Sequence, residues 1–336
     1  FNLPDIVSSK RLFAVAGLLG AATNGVFALA AVDLSIGLSL RFLTGMFLAG
    51  VYPPGLKLAA TWSRRHRGVA IGLLVGALAV GSAVPHLIKS LVDIPWREVM
   101  IASSVLAVSG SVIVLTLVRD GPFGAPPARF DPRFAFRVLT HRGLRLANIG
   151  YLGHQWELYA MWTWVPVFLV QTMETRELST SLGSMIAFAV IALGGAGSIL
   201  AGVTADRFGR TLTASGALVA SGSMALLLAF LLEAPFLIML PVMLIWGLTA
   251  VADSAQFSAS VTELSPPEYV GTALTMQISL GFLVTLFSIQ LVPLLVDLQG
   301  WRLAFATLAL GPAVGVWAMM TLRRLPEAKR LAGGHR

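Results

Sequence analysis

The sequence has 336 residues, of which 56% are hydrophobic and 12% are charged. Soluble domains carry roughly 25% charged residues, so this composition excludes a soluble globular protein. The formal net charge of +8 could indicate nucleic-acid binding, but the basic residues lie in short segments between long apolar runs, as in membrane proteins. We therefore predict a lipid bilayer, and not a nucleic acid, as a partner. Cysteine is absent, which excludes disulfides and thiolate metal sites.

The apolar runs predict ten membrane-spanning helices, because a bilayer needs about 20 residues per helix. The predicted spans are 11–32, 34–59, 68–91, 97–118, 146–171, 180–205, 211–232, 236–261, 269–296 and 302–322. The Pro- and Arg-rich segment 119–145 is predicted to be a cytoplasmic linker with a short amphipathic piece at 134–139. This gives a first bundle at 1–118, a second bundle at 146–322 and a cytoplasmic tail at 323–336.

The distribution of basic residues predicts the orientation of these spans. If both ends of the chain lie on the same side, that side carries eighteen of the 24 Lys and Arg residues, and the opposite side carries four. Positive charge marks the cytoplasmic side, so both ends are predicted to be cytoplasmic. We expect a multi-pass protein of a cell membrane, the inner membrane in a bacterium. The segment 263–268 is an exception, because it is predicted to be cytoplasmic and carries no Lys or Arg.

Short motifs repeat along the chain at a nearly constant distance. The run LVDIPWR at 91–97 recurs as LVDLQGWR at 295–302, and RGVA at 67–70 is paralleled by VGTA at 270–273. Asp5 precedes Asp206 by a similar interval. Two homologous halves are typical of transporters built from internal repeats.

One loop between two apolar runs carries a motif of glycine and charged residues. It reads G-x-x-x-D-R-x-G-R and comprises Gly202, Asp206, Arg207, Gly209 and Arg210. Asp206 can cap a helix N-terminus, and the arginines mark a cytoplasmic loop. The motif resembles the loop signature of the major facilitator superfamily, and the resemblance extends over essentially the whole chain.

This resemblance implies an all-α membrane protein with two six-helix bundles and an internal repeat. Ten of the family's twelve helices are then expected, with the first two missing from an N-terminally truncated chain. Around Asp5, the residues Ile6, Ser8 and Ser9 stand where the signature has Arg, Gly and Arg. That departure weakens the expectation that both loops act as latches.

The resemblance also implies that the family's first, fourth, seventh and tenth helices line the substrate pathway. The span 34–59 would be the fourth, and its Arg41 and Gly45 resemble a family signature on that helix. An arginine cannot lose its charge, so Arg41 needs an anion or a carboxylate nearby, or it reaches the outer interface. Tyr52 on the same span is a further pathway candidate.

The seventh helix of the family would be the span 146–171, which is rich in aromatic and ionisable residues. Glu157 lies near its middle, where burial disfavours the charged form and favours reversible proton binding. His154 is one turn away and could share the proton, although either residue could instead hold helices together. Trp156, Tyr159 and Trp162 are candidates for substrate contact or for packing.

The tenth helix would be the span 236–261, with polar residues at helical spacing. Thr249, Asp253, Gln256 and Ser260 recur at intervals of four, three and four, which predicts one polar stripe facing a wet cavity. Asp253 is a second candidate for substrate or ion contact. On the span 68–91, Gly68, Gly72 and Gly76 predict close helix packing.

No enzyme motif, metal-ligand cluster or cofactor-binding motif occurs in the sequence, so an enzyme is not predicted. The resemblance implies a secondary transporter, which we expect to be monomeric and coupled to protons. Arg41, His86 and His154 favour a small organic or inorganic anion as substrate. The run 41–54 is similar to the nitrate/nitrite porter branch. The alternatives are a drug or metabolite exporter, or a receptor on the same fold that does not transport.

Overall fold

The computed structural model describes residues 3–63, 66–92, 94–124 and 132–336, and for residues 4, 132 and 135 only the backbone. All regular structure in these ranges is helical, so the all-α prediction is confirmed. Two 3₁₀ turns, Pro267–Tyr269 and Pro326–Gly334, accompany fifteen α-helices within the described ranges. The helices are α1 (Leu3–Ile6), α2 (Ser9–Ala30), α3 (Leu34–Leu48), α4 (Tyr52–Ala60), α5 (Arg67–Leu91), α6 (Trp96–Leu117), α7 (Pro132–Thr140), α8 (Arg142–Thr175), α9 (Thr180–Phe208), α10 (Arg210–Phe230), α11 (Phe236–Ala250), α12 (Ser254–Leu264), α13 (Val270–Gln299), α14 (Trp301–Leu308) and α15 (Leu310–Arg323).

The outer surface of the helices is apolar, as a bilayer requires. Phe287, Leu237 and Leu298 are each more than 70% exposed. Nine segments in the described ranges are long and apolar enough to cross a membrane, with α3–α4, α11–α12 and α14–α15 each counting as one. The chain is therefore a multi-pass membrane protein. The sequence-based count of ten is not confirmed, because the remaining candidate, α8, has 34 residues but is more polar than the nine.

Three predicted spans are interrupted in the structure. The span 34–59 breaks at residues 49–51, just before Pro53 and Pro54, which have no N–H to donate to the preceding turn. The last span breaks at Ala309, shortly before Pro312. The span 236–261 breaks at residues 251–253 with no proline nearby, and this break places Asp253 at the N-cap position of α12.

Helices α1–α6, which we call the first half, meet helices α8–α15, the second half, mainly where α5 packs along α9. A Cβ on Gly68 would lie 2.8 Å from the Gly202 carbonyl oxygen, and one on Gly72 would lie 2.7 Å from that of Ser198. A Cβ on Gly76 would lie 3.0 Å from the Gly195 carbonyl oxygen. The predicted close packing through these glycines is confirmed.

The helical part of the predicted linker, within residues 132–145, docks on the second half, whereas residues 121–123 bond to Thr61 in the first half. Helix α7 covers the predicted amphipathic piece, and the Phe134 ring stacks on Tyr269 at 4.5 Å between centroids. Val138, one turn further on, is fully buried. Residues 125–131 of the linker lie outside the described ranges.

Candidate functional site

A buried acid–imidazole pair lies where the break between α11 and α12 faces α8. Nδ1 of His154 lies 2.7 Å from Oδ1 of Asp253, at an angle that departs from a straight hydrogen bond. Both side chains are no more than 2% exposed. The sequence predicted both residues as site candidates but assigned neither as the partner of the other. The break in the helix brings them together.

Glu157 lies one turn further along α8 and is held by two hydrogen-bond donors. Nε1 of Trp246 donates to Oε1 and the hydroxyl of Ser221 donates to Oε2, each at 2.8 Å. Glu157 is 1% exposed, and no Lys or Arg in the described ranges forms an ion pair with it. Asp253 is near enough to act on it electrostatically. His154, Glu157 and Asp253 thus form a buried cluster, which we call the acid–imidazole cluster.

Several buried side-chain amide atoms of the second half lack a hydrogen-bond partner among the described residues. Both polar atoms of Gln256 and of Gln277 are buried without a hydrogen bond, as is Oε1 of Gln155. The Gln155 amide nitrogen donates to the hydroxyl of Tyr151. Buried polar groups are nearly always hydrogen-bonded, so we expect water or a solute to bond to these amide atoms.

Aromatic residues from both halves approach the same region. The Tyr52 side chain, at the start of α4, reaches Ser254 of α12 and lies near Tyr159 of α8. The rings of Tyr159 and Trp162 lie 5.4 Å apart. The Trp162 indole nitrogen is buried and has no partner among the described residues. Tyr52, Tyr159 and Trp162 therefore lie where both halves meet, close to the acid–imidazole cluster.

Three predicted site residues are placed elsewhere. Arg41 is exposed, donates to the Asn24 amide oxygen at 2.8 Å and lies 3.7 Å over the Phe27 ring, so its partner is not a carboxylate. Nε1 of Trp156 donates to the carbonyl of Thr307, which makes it a packing residue between α8 and α14. The Thr249 hydroxyl donates to the carbonyl of Ile245 within its own helix. Because that helix ends at Ala250, the predicted polar stripe is not continuous.

The loop motif connects the two halves at one end of the molecule, which we call the Asp206 end. The Asp206 carboxylate accepts hydrogen bonds from the backbone N–H groups of Gly68 at 3.1 Å and Val69 at 3.2 Å, in the first turn of α5. A carboxylate at a helix N-terminus satisfies free N–H groups and complements the helix dipole. Asp206 thus caps a helix of the opposite half.

Arg210 fixes the position of this cap. It is 1% exposed and lies 2.6 Å from Oδ1 of Asp206 and 2.9 Å from Oε1 of Glu263 at the end of α12. Oε2 of Glu263 accepts a hydrogen bond from the backbone of Ala332 in the C-terminal tail. Arg207 is exposed and lies over the Phe208 ring, outside this network. Gly209 has a φ angle of +103°, a backbone conformation that residues with a side chain rarely adopt.

The repeat in the sequence reappears as a second, reciprocal cap. The Asp5 carboxylate accepts from the N–H groups of Gly271 at 2.8 Å and Thr272 at 2.6 Å, in the first turn of α13. Lys57 forms an ion pair with it. Asp5 makes these contacts although its loop departs from the signature, because they need only the carboxylate and a facing helix N-terminus. Each half therefore caps one helix of the other.

Sequence reasoning missed several members of these networks. Ser221 and Trp246 gave no signal, since either residue is ordinary in an apolar helix. Glu263 did give one, because it lies in the predicted cytoplasmic segment that carries no basic residue. An acidic residue where positive charge is expected indicates a specific partner, here Arg210.

The sequence matches the profile of the Major Facilitator Superfamily over residues 3–288 and again over 159–336. The two overlapping matches cover most of the chain, which is a helical membrane protein with two connected halves. The chain therefore belongs to the major facilitator superfamily, whose members are transporters and not enzymes. No curated protein matches it in sequence.

Solved transporters share the fold at low sequence identity. The human organic anion transporter MFSD10 (TETRAN) matches with a TM-score of 0.72 and 16% identity, covering 95% of this chain and 78% of that one. A single-substitution variant of the E. coli fucose:proton symporter FucP matches at 0.71 and 13%, covering 96% and 86%. The proton:xylose symporter XylE, bound to 6-bromo-6-deoxy-D-glucose, matches at 0.66 and 15%, covering 95% and 81%. The likeness to the nitrate/nitrite porter branch and the N-terminal truncation stay predictions.

Proposed function

We propose that the chain is a proton-coupled secondary active transporter that moves a small polar solute by alternating access. The observation that carries this proposal is the acid–imidazole cluster of His154, Glu157 and Asp253, buried at the junction of α8 with α10–α12. Ionisable groups at membrane depth are costly to keep and usually serve a proton or substrate pathway. Two of the three fold neighbours named above, FucP and XylE, are proton symporters, which agrees with this proposal.

The cluster has the chemistry to bind and release a proton. Two carboxylates and one imidazole in a dry site carry a net negative charge even when His154 is protonated, and such a charge is unstable without water. A proton on Glu157 removes this net negative charge, and Asp253 stays paired with His154. When the halves move and water or solute enters, the ionised form of Glu157 is stabilised and the proton can leave.

The reciprocal caps have the geometry expected of a gate that opens and closes the Asp206 end. The backbone bonds from Asp206 to α5 and from Asp5 to α13 cross between the halves, so they can form only when the Asp206 end is closed. We propose that they stabilise this closed form against one open to the side we place in the cytoplasm. Loss of these bonds then accompanies opening.

The geometry favours an uncharged, hydroxyl-bearing substrate over the anion predicted from the sequence. That prediction depended on Arg41, His86 and His154. Of these, Arg41 lies with Asn24 and Phe27, and His154 faces Asp253. The unpartnered amide atoms, which are Oε1 of Gln155 and both polar atoms of Gln256 and Gln277, include donors as well as acceptors, which suits hydroxyl groups.

The remaining features of the proposal concern topology and assembly. We count α8 as the tenth span, because its 34 residues exceed the roughly 20 that cross a bilayer and its central polar residues Asn148, His154, Gln155 and Glu157 are buried. The two bundles at 1–118 and 146–322 are joined by the linker 119–145. Both described ends lie in the cytoplasm of a bacterial inner membrane in this proposal, and the protein acts as a monomer.

The test uses the chain reconstituted in proteoliposomes with Glu157→Gln and, as a matched control, Glu174→Gln. Glu174 is an exposed carboxylate on the same helix. Fucose, xylose and succinate are first ranked by thermal stabilisation of the wild type, and uptake of the best one is then measured. We expect Glu157→Gln to keep solute exchange and lose accumulation driven by a pH gradient, while the control keeps both.

Other outcomes separate the alternatives. Binding without flux in the wild type indicates a receptor, and solute leaving against proton entry indicates an exporter. Stabilisation by succinate alone restores the anion as substrate. Accumulation that persists in Glu157→Gln moves the proton site to Asp253 or ends the coupling proposal.

A further inference from the structure

We propose that the Asp206 end contains a binding site for a phosphate-sized anion, separate from the substrate pathway, and that the bound anion holds the two halves together. The site is a cavity of about 230 Å³. Both halves and the C-terminal tail contribute to it, and we call it the basic cavity. Its polar lining includes Lys57, Arg67, Thr262, Glu263, Ser265 and Arg330.

The charges around the basic cavity leave it positive. Both Glu263 oxygens already bond to Arg210, and one also accepts from the Ala332 backbone. Arg67 also forms an ion pair with this carboxylate, at 3.9 Å. Arg330 is exposed at the rim and also lines an adjoining cavity with Arg137 and His141. Lys57 is likewise paired with Asp5, but three basic side chains and only one carboxylate line the cavity, so the lining carries a net positive charge.

A buried hydroxyl gives the cavity a specific donor. The Oγ of Ser265 has no partner among the described residues, and the side chain belongs to a residue that is 3% exposed. The two neighbouring hydroxyls differ from it, since Thr61 donates to the Leu58 carbonyl and Thr262 to that of Ser258. A buried hydroxyl without a partner is unfavourable, and an anion oxygen in the cavity would accept from it.

The geometry suits an anion with several oxygens. Guanidinium groups bind phosphate and carboxylate with two parallel hydrogen bonds, and ammonium groups bind them as point charges. Lys57 and Arg67 come from the first half, Ser265 from the second, and Arg330 from the tail. An oxyanion that contacts all of these bridges the halves.

Such a bridge would couple anion binding to the gate. A ligand that binds only the closed form shifts the equilibrium towards it, and closure in turn raises the affinity. The same phosphate chemistry could be supplied by free phosphate in solution or by the headgroup of an acidic phospholipid. The experiment below separates these sources.

The experiment measures the melting temperature of the chain in phosphatidylcholine nanodiscs against inorganic phosphate, with chloride at matched ionic strength as reference. The variants are Arg330→Gln and Ser265→Ala. Their matched controls are Arg324→Gln, exposed and outside the cavity lining, and Ser109→Ala, exposed on α6. We expect a saturable rise with phosphate in the wild type and both controls, and about tenfold weaker apparent affinity in each cavity variant.

A second set of nanodiscs contains phosphatidylglycerol. If the headgroup is the ligand, the wild type is stabilised without phosphate and gains nothing from it, and Arg330→Gln loses this stabilisation. In either case, maleimide labelling of a single cysteine at Thr61 should slow when the anion is present, and the chain has no native cysteine to interfere.

The proposal is overturned if neither phosphate nor phosphatidylglycerol stabilises the wild type beyond matched chloride or phosphatidylcholine. It is equally overturned if the cavity variants respond like their controls. All readouts are binding and labelling, so they stand whether or not solute transport is detected. Failure of the proton-coupled transport proposal would therefore leave this result unaffected.

Discussion

Replacing Asp206 with asparagine should loosen the closed Asp206 end without unfolding the protein. Of the contacts that Asp206 makes, the ion pair with Arg210 lies within the second half. Only the two backbone bonds to Gly68 and Val69 cross between the halves. The change in the gate equilibrium therefore depends on these two bonds and on the charge that Asp206 places at the α5 N-terminus.

The size of this change follows from known contributions. A charge at a partly buried helix N-terminus contributes up to about 2 kcal/mol. An asparagine has one acceptor oxygen, so one of the two N–H groups also loses its partner. Because both N–H groups can bond to water once the end opens, we expect a net shift of about 1.4 kcal/mol, which is about tenfold in the odds of the open form.

Distances between spin labels across the gate would measure this shift. The chain has no cysteine, so cysteines introduced at Trp62 and Leu212 would be the only labelled sites. Both residues are exposed, at 51% and 41%, and they lie in different halves. The control is Glu233→Gln, which breaks a surface ion pair within the second half whose carboxylate is 88% exposed. An Asp206→Asn distance distribution that matches wild type and control would refute the proposed gate.

Three further predictions use the same chain. Asp5→Asn should shift the label distances in the same direction as Asp206→Asn, since it removes the reciprocal cap on α13; a shift towards the closed form would contradict the symmetry of the caps. Gly72→Ala should lower the free energy of unfolding by about 1–3 kcal/mol through overpacking against Ser198, whereas Gly81→Ala has open space and should not destabilise; equal melting temperatures would show that α5 and α9 can separate freely. A cysteine at Gly333 should react with an impermeant maleimide only from the inside and one at Thr175 only from the outside; outside labelling at Gly333 would reverse the proposed orientation.

Much of the helical layout could be predicted from the sequence because lipid imposes a strong constraint. A chain that crosses a bilayer must satisfy its backbone within each segment, so long apolar runs are helices. Regular glycines predicted close packing on α5 for a similar reason, since a stripe without side chains is useful mainly where another backbone approaches, but they did not predict α9 as the partner. The interval between Asp5 and Asp206 predicted two related halves, which the reciprocal caps now display.

Only the tertiary structure decided which polar residues meet. Helical spacing placed His154 and Glu157 on one face, but His154 faces Asp253 while Glu157 faces Ser221 and Trp246, on two other helices. No local sequence signal marks the helix break before Asp253. The prediction of a continuous polar stripe that includes Thr249 was therefore wrong. The sequence predicted that Arg41 needs an anion or a carboxylate, or reaches the outer interface, and in the structure its partners are Asn24 and Phe27. Periodicity fixes the face of a helix, whereas the partner across that face depends on how the helices pack, and the packing is decided by the whole chain.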